Sequence, residues 1–310
     1  MDQRPVGSLR VSEVGIGCNN FGARLDQAGT SAVVHAALDE GINFFDTADI
    51  YGDQASEVML GVALGSRRDE ALIATKFGMK YDRSGFCTTP DYVHEACDAS
   101  LTRLGTDVID LYQLHFPDES TPIADTIGAM QELVIAGKVR EIGCSNLSEE
   151  QLRDAVAACG EGPRLVSIQS QYSLLARYPE TDGVLDACDE LGIGFLPFYP
   201  LANGLLTGKV RPGEPIPAGT RLSLMPADRQ AHWLSDTLRG RVDALIAFAD
   251  AEQLPMLDVA FSWLLSHPAV TSVIAGASNP AQVRANAHAV RPLSSAHLAR
   301  LDELTREVAG

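Results

Sequence analysis

One junction recurs along the chain and limits what it can fold into. An amphipathic segment ends, a glycine follows, and a short apolar run begins. It occurs at LDEGINFFD around Gly41, LTRLGTDVIDLYQLH around Gly105, IAGKVREIGCSN around Gly137 and DELGIGFLPFY around Gly192. A glycine just past a helix takes the left-handed conformation that closes it. The apolar run after it reads as a strand buried on both faces. Applied to the whole chain, this reading predicts strands at Val14–Gly17, Asn43–Asp46, Leu72–Lys76, Asp110–His115, Glu141–Ser145, Leu165–Gln169, Ile193–Phe198 and Ser272–Ala275. It predicts helices at Thr30–Glu40, Ser56–Leu64, Thr89–Leu104, Pro122–Ala136, Ser148–Cys159, Asp182–Leu191, Ser235–Glu252 and Leu257–Leu265. Ser148-Glu149-Glu150 has the form of a helix N-cap followed by first-turn acids. Strict alternation of strand and helix means a parallel sheet, and eight strands favour a closed (β/α)₈ TIM barrel over an open doubly wound one. The 310 residues, 45% of them hydrophobic, suit one barrel domain spanning 1–310. Residues 1–12, with Gly7, read as a short N-terminal hairpin. Residues 199–233, rich in Gly and Pro, read as a long loop after strand seven.

Composition excludes several classes. A formal net charge of -17 repels phosphate backbones and anionic membranes, so neither nucleic acid nor membrane is an expected partner. The N-terminus MDQRPVGSLR has no apolar signal-peptide core. The charge-free stretch Val259–Val283 is interrupted by His267, Pro268, Gly276, Asn279 and Pro280, so it reads as helix, turn, strand and turn rather than a membrane span. A cytoplasmic location is expected. Cys18, Cys87, Cys97, Cys144, Cys159 and Cys188 form no CxxC pair and no His cluster accompanies them, so thiols and no metal site are expected. The first strand runs into Gly15-Ile16-Gly17-Cys18-Asn19-Asn20, which lacks the third glycine of a dinucleotide fingerprint.

In such a barrel, chemistry sits at the carboxyl ends of the strands. There the sequence places Asp46, with Tyr51 in the following loop, then Lys76, His115, Ser145, Asn146, Gln169 and Phe198. A lysine that closes the apolar run LIAT needs a carboxylate, and Asp46 on the neighbouring strand is the candidate. Tyrosine has an unperturbed pKa of about 10. A lysine ammonium beside the phenol is expected to lower it. Asp46 then holds Lys76, and His115 orients a substrate oxygen. This set can give a proton to a developing alkoxide but cannot supply hydride, so a nicotinamide is implied.

From VGIGCNNFG near Val14 to VIAGASNPAQVRANA ending at Ala287, the chain resembles the aldo-keto reductases, through FDTADIYG, ATKFG, LYQLHFPD and GKVREIGCSN. The resemblance implies a (β/α)₈ barrel, reduction of aldehydes or ketones, and an extended NADPH (NADH being the other possibility). The catalytic tetrad it implies is Asp46, Tyr51, Lys76 and His115. For the cofactor it implies Cys18, Asn19 and Asp46 near the nicotinamide, with Ser145, Asn146 and Gln169 on the carboxamide. Phe198 then stacks on the ring. Tyr199 and Pro200 join the cofactor contacts, Leu201, Ala202 and Asn203 follow the pyrophosphate, and Lys209 faces the phosphates. Arg221 grips the adenosine end, joined by Gly276, Ser278, Gln282 and Asn286 at a turn and helix start. Three departures stand out: Tyr199 replaces the usual serine, Phe198 stands where tyrosine or tryptophan is common, and the only base near Gly276–Gln282 is Arg284, which leaves Lys209 and Arg221 for a 2′-phosphate. The chain also resembles the potassium-channel beta subunits, a regulatory or sensing alternative. Those replace the tetrad histidine, whereas His115 is present here. A barrel isomerase or lyase needs a metal or phosphate site, and no acidic cluster marks one. A small-molecule carbonyl is the expected partner, whether the protein is a monomer or a homo-oligomer.

Other signals carry less. Asn146-Leu147-Ser148 is a formal glycosylation sequon at a position with a better use. Gly204 to Lys209 is one residue short of a P-loop and is followed by Val210. His232-Trp233 is read as a loop anchor rather than pocket lining.

Overall fold

The structure is a computed structural model that describes residues 1–211 and 213–306. The last four residues of the 1–310 domain expected from sequence lie outside the described residues. Two short strands come first, β1 (Gln3–Val6) and β2 (Leu9–Ser12), paired antiparallel. The barrel strands are β3 (Val14–Gly17), β4 (Phe44–Asp46), β5 (Leu72–Phe77), β6 (Ile109–Leu114), β7 (Val139–Ser145), β8 (Leu165–Gln171), β9 (Gly194–Phe198) and β10 (Val273–Gly276). Between and after them lie α1 (Gln27–Asp39), α2 (Ala55–Leu64), α3 (Pro90–Leu104), α4 (Ile123–Ile135), α5 (Glu149–Ala158), α6 (Tyr178–Thr181) and α7 (Val184–Leu191). The remaining helices are α8 (Ala227–Trp233), α9 (Asp236–Ala251), α10 (Met256–Leu265), α11 (Pro280–Ala287) and α12 (Ser295–Thr305).

The eight strands form one parallel sheet in the order β10-β3-β4-β5-β6-β7-β8-β9. The ring closes just before β10. The Phe195 amide donates to the Ala269 carbonyl at 2.7 Å, and the Thr271 amide donates to the Phe195 carbonyl at 3.0 Å. All four junction glycines are left-handed, with φ of 80°, 63°, 74° and 67° at Gly41, Gly105, Gly137 and Gly192. The start expected at Ser148 is a reciprocal cap: its hydroxyl accepts from the Gln151 amide, and the Gln151 side chain accepts from the Ser148 amide.

Several boundaries differ from the sequence reading. The helix expected over Asp182–Leu191 is α7, which starts two residues late, after left-handed Gly183, and a separate short helix, α6, precedes it. α1 begins three residues early because Asp26 caps it, its carboxylate accepting from the Gly29 amide. The long loop contains a 3₁₀ stretch at Ala202–Thr207 and α8 at its end. α12, which the sequence reading left out, packs against α9.

Period-two alternation divides the barrel interior into layers. Phe44, Ala74, Leu111, Leu196 and Ile274 form an apolar layer with Val6, Leu9 and Val11 of the hairpin. The hairpin therefore plugs the amino-terminal end of the barrel. Two residues further along three of these strands stand Asp46, Lys76 and Gln113, the start of a polar layer at the other end. The larger apolar cluster lies between strands and helices.

Gly7 turns the hairpin with φ of 57°, where an added Cβ would meet Glu141 at 2.7 Å and Val166 at 2.8 Å. The next amide, of Ser8, donates to Glu141 Oε1 at 2.7 Å, so the turn is fastened to the barrel floor. Gly7→Ala combines left-handed strain with overpacking and should cost about 1–3 kcal/mol. Denaturant unfolding of both proteins checks this, and an unchanged midpoint would refute the plugging role of the turn.

Candidate active site

The polar layer is organised around Asp46. Lys76 Nζ donates to Asp46 Oδ2 at 2.7 Å and to the Thr47 carbonyl at 2.8 Å, with the lysine side chain fully buried. The other oxygen, Oδ1, accepts from Gln169 Nε2 at 2.9 Å and from Gln113 Nε2 at 3.2 Å. Four strands thus converge on one carboxylate. Gln113 is the member that sequence reading missed. Its signal was a polar side chain two residues before His115, on the same strand face.

Tyr51 approaches this cluster from the loop after β4. Its amide donates to the Ala48 carbonyl, and its own carbonyl accepts from the Ser56 amide. Three left-handed residues follow, Gly52, Asp53 and Gln54. A Cβ at Gly52 would lie 2.5 Å from the Phe21 carbonyl, so only glycine lets the loop press this close to the loop after β3. The result sets Lys76 Nζ 5.1 Å from the Tyr51 ring centre. The His115 ring stands edge-on to Tyr51 at 6.0 Å and stacks on Phe116 at 4.8 Å.

Electrostatics assigns protonation states. For Lys76, burial works against the ammonium, but the attraction of Asp46 and Tyr51 outweighs it and holds its pKa above the ordinary value. Burial also pushes the Tyr51 phenol up; Lys76 opposes the rise, while Asp46 and Tyr199 add to it. The expected net lowering by Lys76 therefore does not hold for the protein alone. The lysine's pull is present, but desolvation of a would-be phenolate is larger. Burial, with Lys76 adding, brings the His115 pKa down to about 3, so this imidazole is neutral at physiological pH.

Tyr51 and His115 open onto a cavity of about 930 Å³. It extends past Ser145, Asn146, Gln169 and Phe198, then under Tyr199 to Asn203, and reaches Lys209, Arg221, Gly276, Ser278, Gln282 and Asn286. Asn19, Asp46 and Pro200 also line it. Two of the expected cofactor residues do not. Cys18 is fully buried, its thiol directed at the Ile16 carbonyl, and Ala202 is buried against the core. His232 and Trp233 are likewise off the wall, and Trp233 packs on the core. Asn20, Arg24, Met79, Arg83 and Phe116 also line the cavity.

The lining suits a nicotinamide dinucleotide on the structure's own terms. Asn19 Oδ1, His115 Nδ1 and Asn286 Nδ2 are buried on its wall and meet no hydrogen-bond partner among the described residues. Asn146 spends its amide group on the His115 carbonyl and Ser145 Oγ, and Gln169 spends its own on Asp46. What these two offer a ligand is a carbonyl oxygen, the acceptor a carboxamide NH₂ needs. Among the described residues no group of three or more His, Cys, Asp or Glu is arranged to hold a metal, and no helix is long and apolar enough to cross a membrane.

With this geometry in place, the comparisons define the class: residues 13–306 match the aldo/keto reductase family, and the chain belongs to it. It is accordingly an NAD(P)H-dependent oxidoreductase acting on carbonyl compounds. An uncharacterized oxidoreductase of Bacillus subtilis is 34% identical over 99% of this chain and 97% of its own length. A probable aldo-keto reductase of Glycine max is 34% identical over 83% of this chain and 74% of its own, and a probable voltage-gated potassium channel beta subunit of Arabidopsis thaliana is 33% identical over 91% and 88%. The holo form of an aldo-keto reductase from Bacillus halodurans superposes with a TM-score of 0.81 at 31% identity, covering 99% of this chain and 97% of that one.

Two outcomes follow from the buried charges. Lys76→Met strands Asp46 and should cost about 3–5 kcal/mol, whereas Lys76→Met combined with Asp46→Leu should cost less, because no lone charge remains. Urea unfolding of the parent, Lys76→Met, Asp46→Leu and the double variant decides it; a double variant that loses the sum of both single losses would contradict the pairing. Asp49, just before Tyr51, is fully buried. Burial pushes its carboxyl up to about 8, with Glu57 adding and Arg103 opposing. The folded state then binds this proton more tightly than the unfolded chain, so stability falls as pH rises from about 4 to about 8. Asp49→Asn should therefore gain in melting temperature over the parent across that window, and a difference independent of pH would disprove the assignment.

Proposed function

We propose that the protein reduces an aldehyde or ketone with NADPH, and that Tyr51 delivers the proton to the carbonyl oxygen. The observation that carries this reading is the juxtaposition of Tyr51, Lys76 and Asp46 with neutral His115 at the carboxyl mouth of the barrel, where the large cavity begins.

Asn19, Ser145, Asn146 and Gln169 would hold the nicotinamide end, with Phe198 against the ring. The segment Tyr199–Asn203 and Lys209 would run beside the phosphates, and Arg221, Gly276, Ser278, Gln282 and Asn286 would take the adenosine. When bound, the reduced nicotinamide supplies a hydride to the carbonyl carbon. The chain's part is the oxygen. Neutral His115 donates a hydrogen bond to it and fixes its direction toward Tyr51. As negative charge grows on that oxygen, the Tyr51 hydroxyl gives up its proton, and the phenolate left behind faces the Lys76 ammonium. Asp46 keeps that ammonium in place and charged. A phenol held above its ordinary pKa is fully protonated at neutral pH, as a proton donor must be.

Tyr51→Phe should lower kcat/KM for NADPH-dependent reduction of 4-nitrobenzaldehyde by about 10²–10⁴-fold while leaving NADPH binding intact. The parent rate should show no inflection between pH 5 and 8, because His115 titrates at about 3 and Tyr51 above its ordinary value. Activity should fall only on the alkaline side, as Tyr51 loses its proton. Equal turnover in parent and Tyr51→Phe would end the role given to Tyr51, and tight cofactor binding without turnover would favour a regulatory subunit of the same fold.

A further inference from the structure

The cavity wall reverses the charge of the molecule. The chain carries 41 acidic and 24 basic residues, yet among the described residues its cavity is lined by Arg24, Arg83, Lys209 and Arg221 and by a single carboxylate, Asp46, which Lys76 already neutralises. Arg83 has its own partner in Asp53, and Arg221 lies over the Tyr199 ring with its centre 5.0 Å away. Arg24 is different. It makes no side-chain hydrogen bond or ion pair with any described residue, and the charge that acts on it is Arg221, which depresses its pKa after burial does. Two guanidiniums facing one cavity with no acid between them repel, and an anion placed between them relieves that repulsion.

The position of Arg24 is fixed by its loop. Its amide and that of Leu25 both donate to the Asn20 carbonyl, and Gly22 closes the turn onto Leu25. Asn20 Nδ2 in turn donates to the Ala277 carbonyl at 3.3 Å, tying the loop to the turn that begins α11. That turn and α11 carry Gly276, Ser278, Gln282 and Asn286, the cavity residues to which the adenosine half of the dinucleotide is assigned above. The base nearest that turn in sequence, Arg284, is exposed on α11 and does not line the cavity.

Resting on the NADPH reading above, we infer that Arg24 and Arg221 together bind the 2′-phosphate of the cofactor, so that the cation absent from the adenosine turn is supplied by the loop after β3. Arg24 reaches this phosphate from one wall and Arg221 from the other, and the phosphate's charge and acceptor oxygens satisfy both.

Calorimetric titration of the full chain and of Arg24→Gln with 2′,5′-ADP, 5′-AMP, NADPH and NADH tests this. The variant should bind 2′,5′-ADP and NADPH about tenfold or more weakly, as expected for a lost charge-assisted hydrogen bond, and should bind 5′-AMP and NADH within about twofold of the parent. Arg24→Lys should recover part of the loss. If all four ligands weaken equally, Arg24 serves the pyrophosphate and the assignment is overturned. If none weakens, Arg24 is a surface residue and the assignment is overturned. Parent protein that binds neither NADPH nor NADH would remove the underlying reading as well, an outcome distinct from both.

Discussion

The buried contact between Asp46 and Lys76 is what the mouth of the barrel depends on. An ammonium and a carboxylate removed from water are costly unless each is paired and every remaining lone pair and proton is occupied. Here the lysine has a second acceptor in the Thr47 carbonyl, and the aspartate has two amide donors from strands across the barrel. The pair is therefore a cross-brace between strands far apart in sequence. Tyr51 gains from it twice. The ammonium is held where a phenolate would form, and it is held without rotamer freedom, so no reorganisation is needed when charge moves.

The layered interior explains how one strand can serve stability and chemistry together. Phe44, Ala74 and Leu111 fill the barrel against the hairpin, and the next inward-facing positions, Asp46, Lys76 and Gln113, are the polar cluster. A register slip of one residue would send both sets outward at once. The apolar layer thus fixes the polar one in height, and the short loops above need only aim Tyr51 and line the cavity.

Much of this was legible in the sequence because it rests on local rules. The junction glycines reported the helix ends, and a lysine closing LIAT announced that an acid must stand beside it. What escaped depends on distant parts of the chain. Gln113 was hidden inside LYQLH, since nothing local says that its amide reaches the carboxylate on β4. Cys18 and Ala202 were expected at the cofactor from the resemblance, but both are small side chains that the backbone turns into the core. The protonation of Tyr51 could not be judged from neighbours alone. Lys76 was visible, yet the desolvation that outweighs it is a property of the assembled pocket. Arg24 gave no signal either, because its significance comes from Arg221, nearly two hundred positions later.

The hairpin plug governs the access of water. Val6, Leu9 and Val11 seal the floor, and the apolar layer above them fills the interior, so water reaches the polar cluster only from the mouth. Asp46 and Lys76 are thus dry from below. Four N-terminal residues with a turn and a return strand help keep the buried ion pair out of water from the far end of the barrel.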